Sequence, residues 1–487
     1  MSGSKVVKNT FYLTAAFVGQ KVLSFVYFTV IARTIGVDGA GRYVIAISFT
    51  TMLSIFVDLG LANVLVREVA KFPEKAKSLL ANVLGMKVVL AILTVLAAHV
   101  IALLLDYHPE TRLMITLASA VMVLDSIHLV LYAAMRGFQN LRYEAIGVVT
   151  GQAVTIVSGS IFLYLHLPLY SLVIALLCGS TWNVIWAAFI VRRKFGLQWS
   201  VKLEPAVIRF FWAVTIPFAL AGIFSRIYSY IDSIMLSKLI SESSVGLYGV
   251  AYKIAFAFQF LPMSFAAAIY PAMSENYLHD RNRLAHLFTV STNYLLLVAV
   301  PLATGIAVLA HEFILLLYGE QFLPSVLPLQ ILMVSLIFAF IYWPAGSLLN
   351  ACDRQAKNTL AMGLTMVVNI ILNIILIPRF SIVGAAIAAL VGNVTLWCAA
   401  VIFSRQVIKV DRRASLIFAG KTIFSAAMMA AVLLSLRGQV HVALLVPLGV
   451  LTYAGAQLAV GGVTTAEIRL FIRTFLKRGK VANDLVP

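Results

Sequence analysis

The chain has 487 residues, of which 62% are hydrophobic and only 11% charged, less than half the charged share of an ordinary soluble domain, about 25%. With a mean hydropathy of +0.98, a water-soluble globule is excluded. The 37 Lys and Arg outnumber the 19 Asp and Glu, for a formal charge of +18. In so apolar a chain that excess belongs first to the loops beside membrane spans, and nucleic acid is not implied.

A bilayer core roughly 30 Å thick needs about 20 apolar residues per helix. Charged, Gly and Pro punctuation divides the chain into such runs at 10–32, 43–66, 79–105, 113–134, 145–165, 169–191 and 210–236. The second series lies at 246–271, 287–310, 325–350, 360–377, 383–404, 415–435 and 441–462. The expected fold is an all-α polytopic membrane protein of about fourteen transmembrane helices, with no sizeable soluble domain. The first run is long enough to span, so it reads as a retained helix and not a cleaved leader. Cys178, Cys352 and Cys398 show no paired spacing and read as packing residues.

Basic residues alternate from loop to loop. One set of connections and both tails are rich in them, as at Arg67–Lys77, Arg192–Lys194, Arg405–Arg413 and Arg469–Lys480. The intervening connections hold only Arg33, Arg42, Arg112, Lys238, Arg379 and Arg437. Positive loops stay inside, so both termini are expected in the cytoplasm and the protein in the cell (cytoplasmic) membrane. The tail Glu467–Lys480 reads either as an amphipathic helix on anionic lipid or as a plain positive stop.

An internal repeat is visible. Gly41-Arg42-Tyr43-Val44-Ile45-Ala46 aligns with Gly246-Leu247-Tyr248-Gly249-Val250-Ala251, and at the same offset Lys21 falls on Arg226. Each half has six spans, an even number, so both enter the membrane from the same side and form parallel six-helix lobes around a cavity. The expected division is an N-lobe at 1–200, a C-lobe at 201–408, and two extra C-terminal helices plus a basic tail at 409–487. Pro217, Pro262, Pro301, Pro344 and Pro447 fall in later spans, whereas the first six contain none; helix-kinking prolines put the bending elements in the second lobe.

An ionised side chain at a helix centre costs roughly 2.5–3.5 kcal/mol on insertion scales, so it needs a cavity or a partner. Lys21 shares a polar strip with Gln20, Ser24 and Tyr27, and Arg226 sits among Ser225, Tyr228, Ser229 and Tyr230. Two cationic posts facing across a cavity are expected, with Lys253 as a third candidate and Ser24 and Tyr230 as neighbouring substrate contacts. The alternative is an ion pair of these cations with Asp58, Asp125 or Asp232. Lys87, near the inner end of its span, is explained by snorkelling. Asp125 and His128 share a helical face as a coupling or ion-pair candidate. Asp232 stands six residues from Arg226, on the wrong face to touch it, so its partner is expected on another span.

Nothing points to an enzyme. Gly420-Lys421-Thr422 ends like a phosphate loop, but Ser415 stands where the first glycine belongs. No HExxH or Cys/His metal spacing occurs, no cofactor is expected, and the sequon at Asn393 lies inside a span.

Ala32-Arg33-Thr34-Ile35-Gly36, Gly41-Arg42-Tyr43, Asp58-Leu59-Gly60-Leu61, Arg67-Glu68 and the later Gly246-Leu247-Tyr248 through Ala251-Tyr252-Lys253 resemble polysaccharide and O-antigen flippases. These belong to the multidrug/oligosaccharidyl-lipid/polysaccharide exporter superfamily. Arg42 departs from the small or apolar residue expected there. The resemblance implies movement of a polyprenyl-diphosphate-linked oligosaccharide from the inner to the outer leaflet, with membrane lipids and glycan-assembly proteins as further partners. Cationic posts suit a diphosphate. The runner-up is an ion-coupled multidrug/cation antiporter of the same superfamily, disfavoured because the strip of the first span carries Lys21 and no acid. A membrane-embedded glycan ligase or polymerase is a third reading, disfavoured by short connections.

Overall fold

In a computed structural model the chain is described over residues 3–197, 200–409 and 412–463, with side chains from residue 16 onward except at 213, 216–218 and 412. The tail at Glu467–Lys480 lies outside the described residues, as does the side chain of Pro217. The described residues are helical throughout, with no strand among them. In order the helices are α1 (Gly3–Asp58), α2 (Leu61–Lys71), α3 (Ala76–Leu104), α4 (Pro109–Gly137), α5 (Arg142–Tyr164), α6 (Ser171–Phe195), α7 (Pro205–Leu239) and α8 (Glu242–Ala257). Then come α9 (Phe260–His279), α10 (Arg281–Val308), α11 (Ala310–Tyr318), α12 (Val326–Ala351), α13 (Gln355–Ser404), α14 (Arg412–Leu436) and α15 (Val442–Ala459).

Among the described residues, eleven helical stretches are long and apolar enough to cross a membrane. Two of them, Ala16–Asp58 and Gln355–Ser404, have 43 and 50 residues, enough for two crossings each at about 20 residues per crossing. Each is bent at one residue. Gly36 adopts φ 72°, ψ −175°, a left-handed backbone that glycine alone takes without a Cβ penalty. Ser381 adopts φ 51°, ψ −130°, three residues after Pro378. The crossings are compatible with the expected fourteen.

Three expected boundaries are corrected. The run 43–66 is not one span: α1 stops at Asp58, Leu59 and Gly60 take positive φ of 45° and 86°, and α2 starts afresh, burying Leu61, Val64, Leu65 and Val69. The run 246–271 is interrupted between α8 and α9 at Phe258–Gln259, where Pro262 has no N–H to give the carbonyl of Phe258. The connection around 311–324 is itself structured, as α11 and a 3-10 turn at Glu320–Ser325.

Local chemistry fixes several ends. Ser241 caps α8 by accepting from the Ser244 N–H at 3.2 Å, and Asp280 caps α10 by accepting from Asn282 and Arg283 at 2.9 and 3.0 Å. Helix α6 closes with Arg192, Arg193 and Lys194 in its last turn and a left-handed Gly196, favourable cations at the negative end of the helix dipole.

The described residues form two compact units. The first comprises those of Met1–Phe260, Ile314–Pro328 and Ala356–Leu396; the second, those of Leu261–Phe313, Leu329–Gln355 and Trp397–Pro487. In the second unit α10, α14 and α15 pack around Val300, Leu309, Met429, Leu433 and Leu445. There Tyr453 donates to the Leu297 carbonyl at 2.9 Å, and Arg437 pairs with Glu312 at 2.6 Å.

In the first unit the two repeat motifs meet. A Cβ at Gly41 would collide with the carbonyl oxygen of Glu242, and one at Gly246 with that of Val37. At the repeat offset Val37 corresponds to Glu242, so the two contacts are images of each other. The Ser243 hydroxyl donates to Asp38, another matched pair. Reciprocal contacts of this kind mark an axis running between duplicates. Small residues let membrane helices approach this closely.

Candidate functional site

A cavity of about 720 Å³ lies entirely within the first unit, walled by α1 to α8. Its lining runs from Tyr43 at one end to Asn63 and Arg136 at the other. Ser24, Asp58, Asp125, His128, Arg226, Tyr230 and Lys253 all line it. Lys21 stands behind the lining, its ammonium 4.9 Å from the centre of the lining ring of Phe256.

Lys253 reciprocates from α8, with its ammonium 5.1 Å from the centre of the Phe28 ring on α1. Each lysine therefore rests on an aromatic face supplied by the other's helix, an attraction of about 0.5–1 kcal/mol that grows as water is excluded. The two ammonium groups also repel one another. The repeat pairs Lys21 with Arg226, but in space Lys253 is the cation coupled to Lys21. Among the described residues none of Lys21, Arg226 or Lys253 is ion-paired with a carboxylate. Behind Phe256 the rings of Tyr252 and Tyr248 continue along α8 at 5.7 and 6.0 Å spacings.

The acids are engaged elsewhere. Asp58 holds Lys87 at 2.6 Å, and the same ammonium donates to the Ser126 hydroxyl and carbonyl at 2.8 and 3.1 Å. Lys87 is 2% exposed, so the snorkelling explanation is replaced by a buried ion pair in the cavity wall. Its depth, eleven residues into α3 from Ala76, carried the same signal that singled out Lys21. Asp125 accepts from the Ser180 hydroxyl at 2.5 Å and lies 3.6 Å from Nδ1 of His128. Asp232 lies outside the lining, buried, accepting from the Tyr248 hydroxyl at 2.9 Å and the Asn373 amide at 2.6 Å. Its partners lie on other helices, as expected, but they are neutral.

Residues beyond the expected set shape both ends. Arg136 pairs with Glu144 at 3.0 Å. Past Tyr43, Arg42 sets one guanidinium between Glu110 of α4 at 2.5 Å and Glu242 of α8 at 3.1 Å. Thr111 donates to the second carboxylate at 2.9 Å. Beside this cluster Tyr107 and Ser237 share a 2.8 Å hydrogen bond, and burial pushes the Tyr107 phenol up to about 12, so it stays protonated. The departure of Arg42 from a small residue is thus the centre of an ion cluster that links α1, α4 and α8.

The helices and the cavity define a multi-pass membrane protein built like a transporter. It superimposes on the lipid II flippase MurJ in its inward closed conformation with a TM-score of 0.77 at 16% identity, over 95% of this chain and 99% of that one. An inward-facing multidrug resistance MATE family transporter superimposes with a TM-score of 0.67 at 14% identity, over 80% of this chain and 94% of the other. In sequence, residues 6–277 match the family described as "Polysaccharide biosynthesis protein", and residues 217–375 match MatE. The chain belongs to the polysaccharide biosynthesis protein family, within the superfamily of multidrug and polysaccharide exporters. A probable flippase of Haloferax volcanii, AglR, is 34% identical over 34% of this chain and 35% of its own length. An uncharacterized membrane protein of Methanocaldococcus jannaschii is 24% identical over 73% of this chain and 75% of its own. The relatives that carry a transport name are flippases and transport proteins, in line with a non-enzyme.

Proposed function

We propose that the protein moves a polyprenyl-diphosphate-linked oligosaccharide from the cytoplasmic to the outer leaflet of the cell membrane by alternating access. The observation that carries this reading is the pair Lys21 and Lys253, on facing helices and free of carboxylates, with Arg226 on the same cavity. A diphosphate supplies the counter-charge these groups lack, and Arg226 is suited to a bidentate phosphate contact. Ser24 and Tyr230 supply neighbouring hydroxyls.

Both termini lie in the cytoplasm on the basic-loop distribution, with the N-lobe at 1–200, the C-lobe at 201–408 and the extra helices beyond. In that orientation the Arg42 cluster is the outer closure, and the end near Asn63 and Arg136 receives the headgroup. Asp58, Asp125, His128 and Asp232 are the candidates for coupling to an ion gradient. Glycan-assembly proteins supply and consume the substrate. The MatE match favours a second reading, cation antiport.

Reconstituted protein and a fluorescent polyprenyl-diphosphate saccharide separate the two. Flipping that is lost in Lys21→Ala/Lys253→Ala supports the flippase, while proton-driven cation efflux without glycan movement supports the antiporter.

A further inference from the structure

The charges around the cavity are unevenly paired. Arg226 and Lys253 line it, with Lys21 just behind, and among the described residues none of the three is ion-paired with an acid. Elsewhere in the wall Lys87 is neutralised by Asp58 and Arg136 by Glu144. One charge there is left over. Asp125 is 47% exposed and lines the cavity, and among the described residues its only hydrogen-bond donor is Ser180. A purely structural carboxylate is buried and doubly satisfied, as Asp232 is by Tyr248 and Asn373. Asp125 is instead anchored through one oxygen and open on the other.

One further polar group on the cavity is unspent. Gln152 lines the same cavity and makes no hydrogen bond to a described residue, whereas its neighbour Asn183 is committed to Tyr132 and to the Gly179 carbonyl. An ionised carboxylate only accepts, and a free amide both donates and accepts. Both kinds of group suit sugar hydroxyls, and the carboxylate repels phosphate.

We propose that Asp125, oriented by Ser180 and with Gln152 on the same cavity, is a saccharide-reading subsite that accepts hydroxyl or ammonium donors of a neutral or amino sugar and rejects a uronic acid. This rests on the flippase reading, with the diphosphate on Lys21 and Lys253 across the cavity. At about 720 Å³ the space lies in the range that encloses a drug-sized ligand, roughly 300–1,000 Å³.

The test measures binding of three probes to the full-length protein in nanodiscs: bare polyprenyl diphosphate, its hexosyl derivative and its hexuronosyl derivative. Wild type is expected to bind the hexosyl probe at least roughly tenfold tighter than the hexuronosyl probe, the scale of a charge-assisted hydrogen bond. In Asp125→Asn, which keeps the shape and removes the charge, that ratio falls to within about twofold. Ser180→Ala, which keeps the charge and frees its rotamer, gives an intermediate ratio and serves if the first variant misfolds. An unchanged ratio in both variants, or a wild type indifferent to the uronic acid, overturns the subsite. If wild type fails to bind even the bare diphosphate, the flippase reading falls first and the subsite with it.

Discussion

Replacing Arg42 by Gln tests the proposed outer closure separately from the rest of the molecule. The side chains of Arg42, Glu110 and Glu242 are between 22% and 29% exposed, so the cluster sits between two regimes. Exposed pairs contribute about 0–1 kcal/mol, whereas removing one member of a buried pair costs about 3–5 kcal/mol. Two half-buried contacts to one guanidinium, plus two carboxylates left facing each other, place the loss at about 2–3 kcal/mol. At 1.4 kcal/mol per factor of ten, that shifts the closed-to-open equilibrium by roughly 30- to 140-fold. The assay is labelling of Ser48→Cys, a buried lining position one turn beyond Tyr43, by a membrane-impermeant maleimide from outside, with Cys178, Cys352 and Cys398 changed to Ser. Arg42→Gln should raise the labelling rate toward that shift, and Arg42→Lys should raise it less. A rate equal to that of the Arg42 parent would mean the cluster does not hold this end shut.

Lys87→Met should lower stability by about 3 kcal/mol, the low end of the buried-pair range because Asp58 is 27% exposed. Asp58→Asn/Lys87→Met should recover most of the loss in a thermal-unfolding cycle, and an additive double variant would contradict the pairing. Gly246→Val drives a Cβ into the Val37 carbonyl and should separate α1 from α8, read as a large drop in melting temperature, whereas the same change at the open Gly420 should do little. Asp232→Asn keeps the shape of a buried carboxylate held only by neutral donors. Flipping should continue in this variant but lose its response to an imposed ion gradient, and an undiminished response would remove Asp232 from the coupling set.

The helical, multi-pass architecture was legible because its signal is additive over many residues: apolar runs set crossings and breaks set loops. The repeat was legible for a similar reason, and its glycines turn out to be the places where its two copies touch. What escaped the sequence is mostly pairing over distance. Arg42 reads as an ordinary loop cation because Glu110 and Glu242 lie 68 and 200 residues away. Lys87 read as a snorkelling cation near a span end because its partner was hidden: Asp58 stands at the end of an apolar run that continues smoothly into Leu61 and Val64. The break at Leu59–Gly60 is a local backbone event that hydropathy does not register. The depth of Lys21 and Arg226 marked them as costly charges, whereas the aromatic rings beneath Lys21 and Lys253 belong to the opposite helix and needed the fold to be seen.

The account turns on whether cations in this cavity hold a diphosphate, and binding of bare polyprenyl diphosphate to the reconstituted protein measures that directly. Saturable binding to wild type that weakens at least roughly a hundredfold in Lys21→Ala/Lys253→Ala, as loss of two charge-assisted contacts requires, is the predicted result. Equal affinity in wild type and the double variant would contradict it.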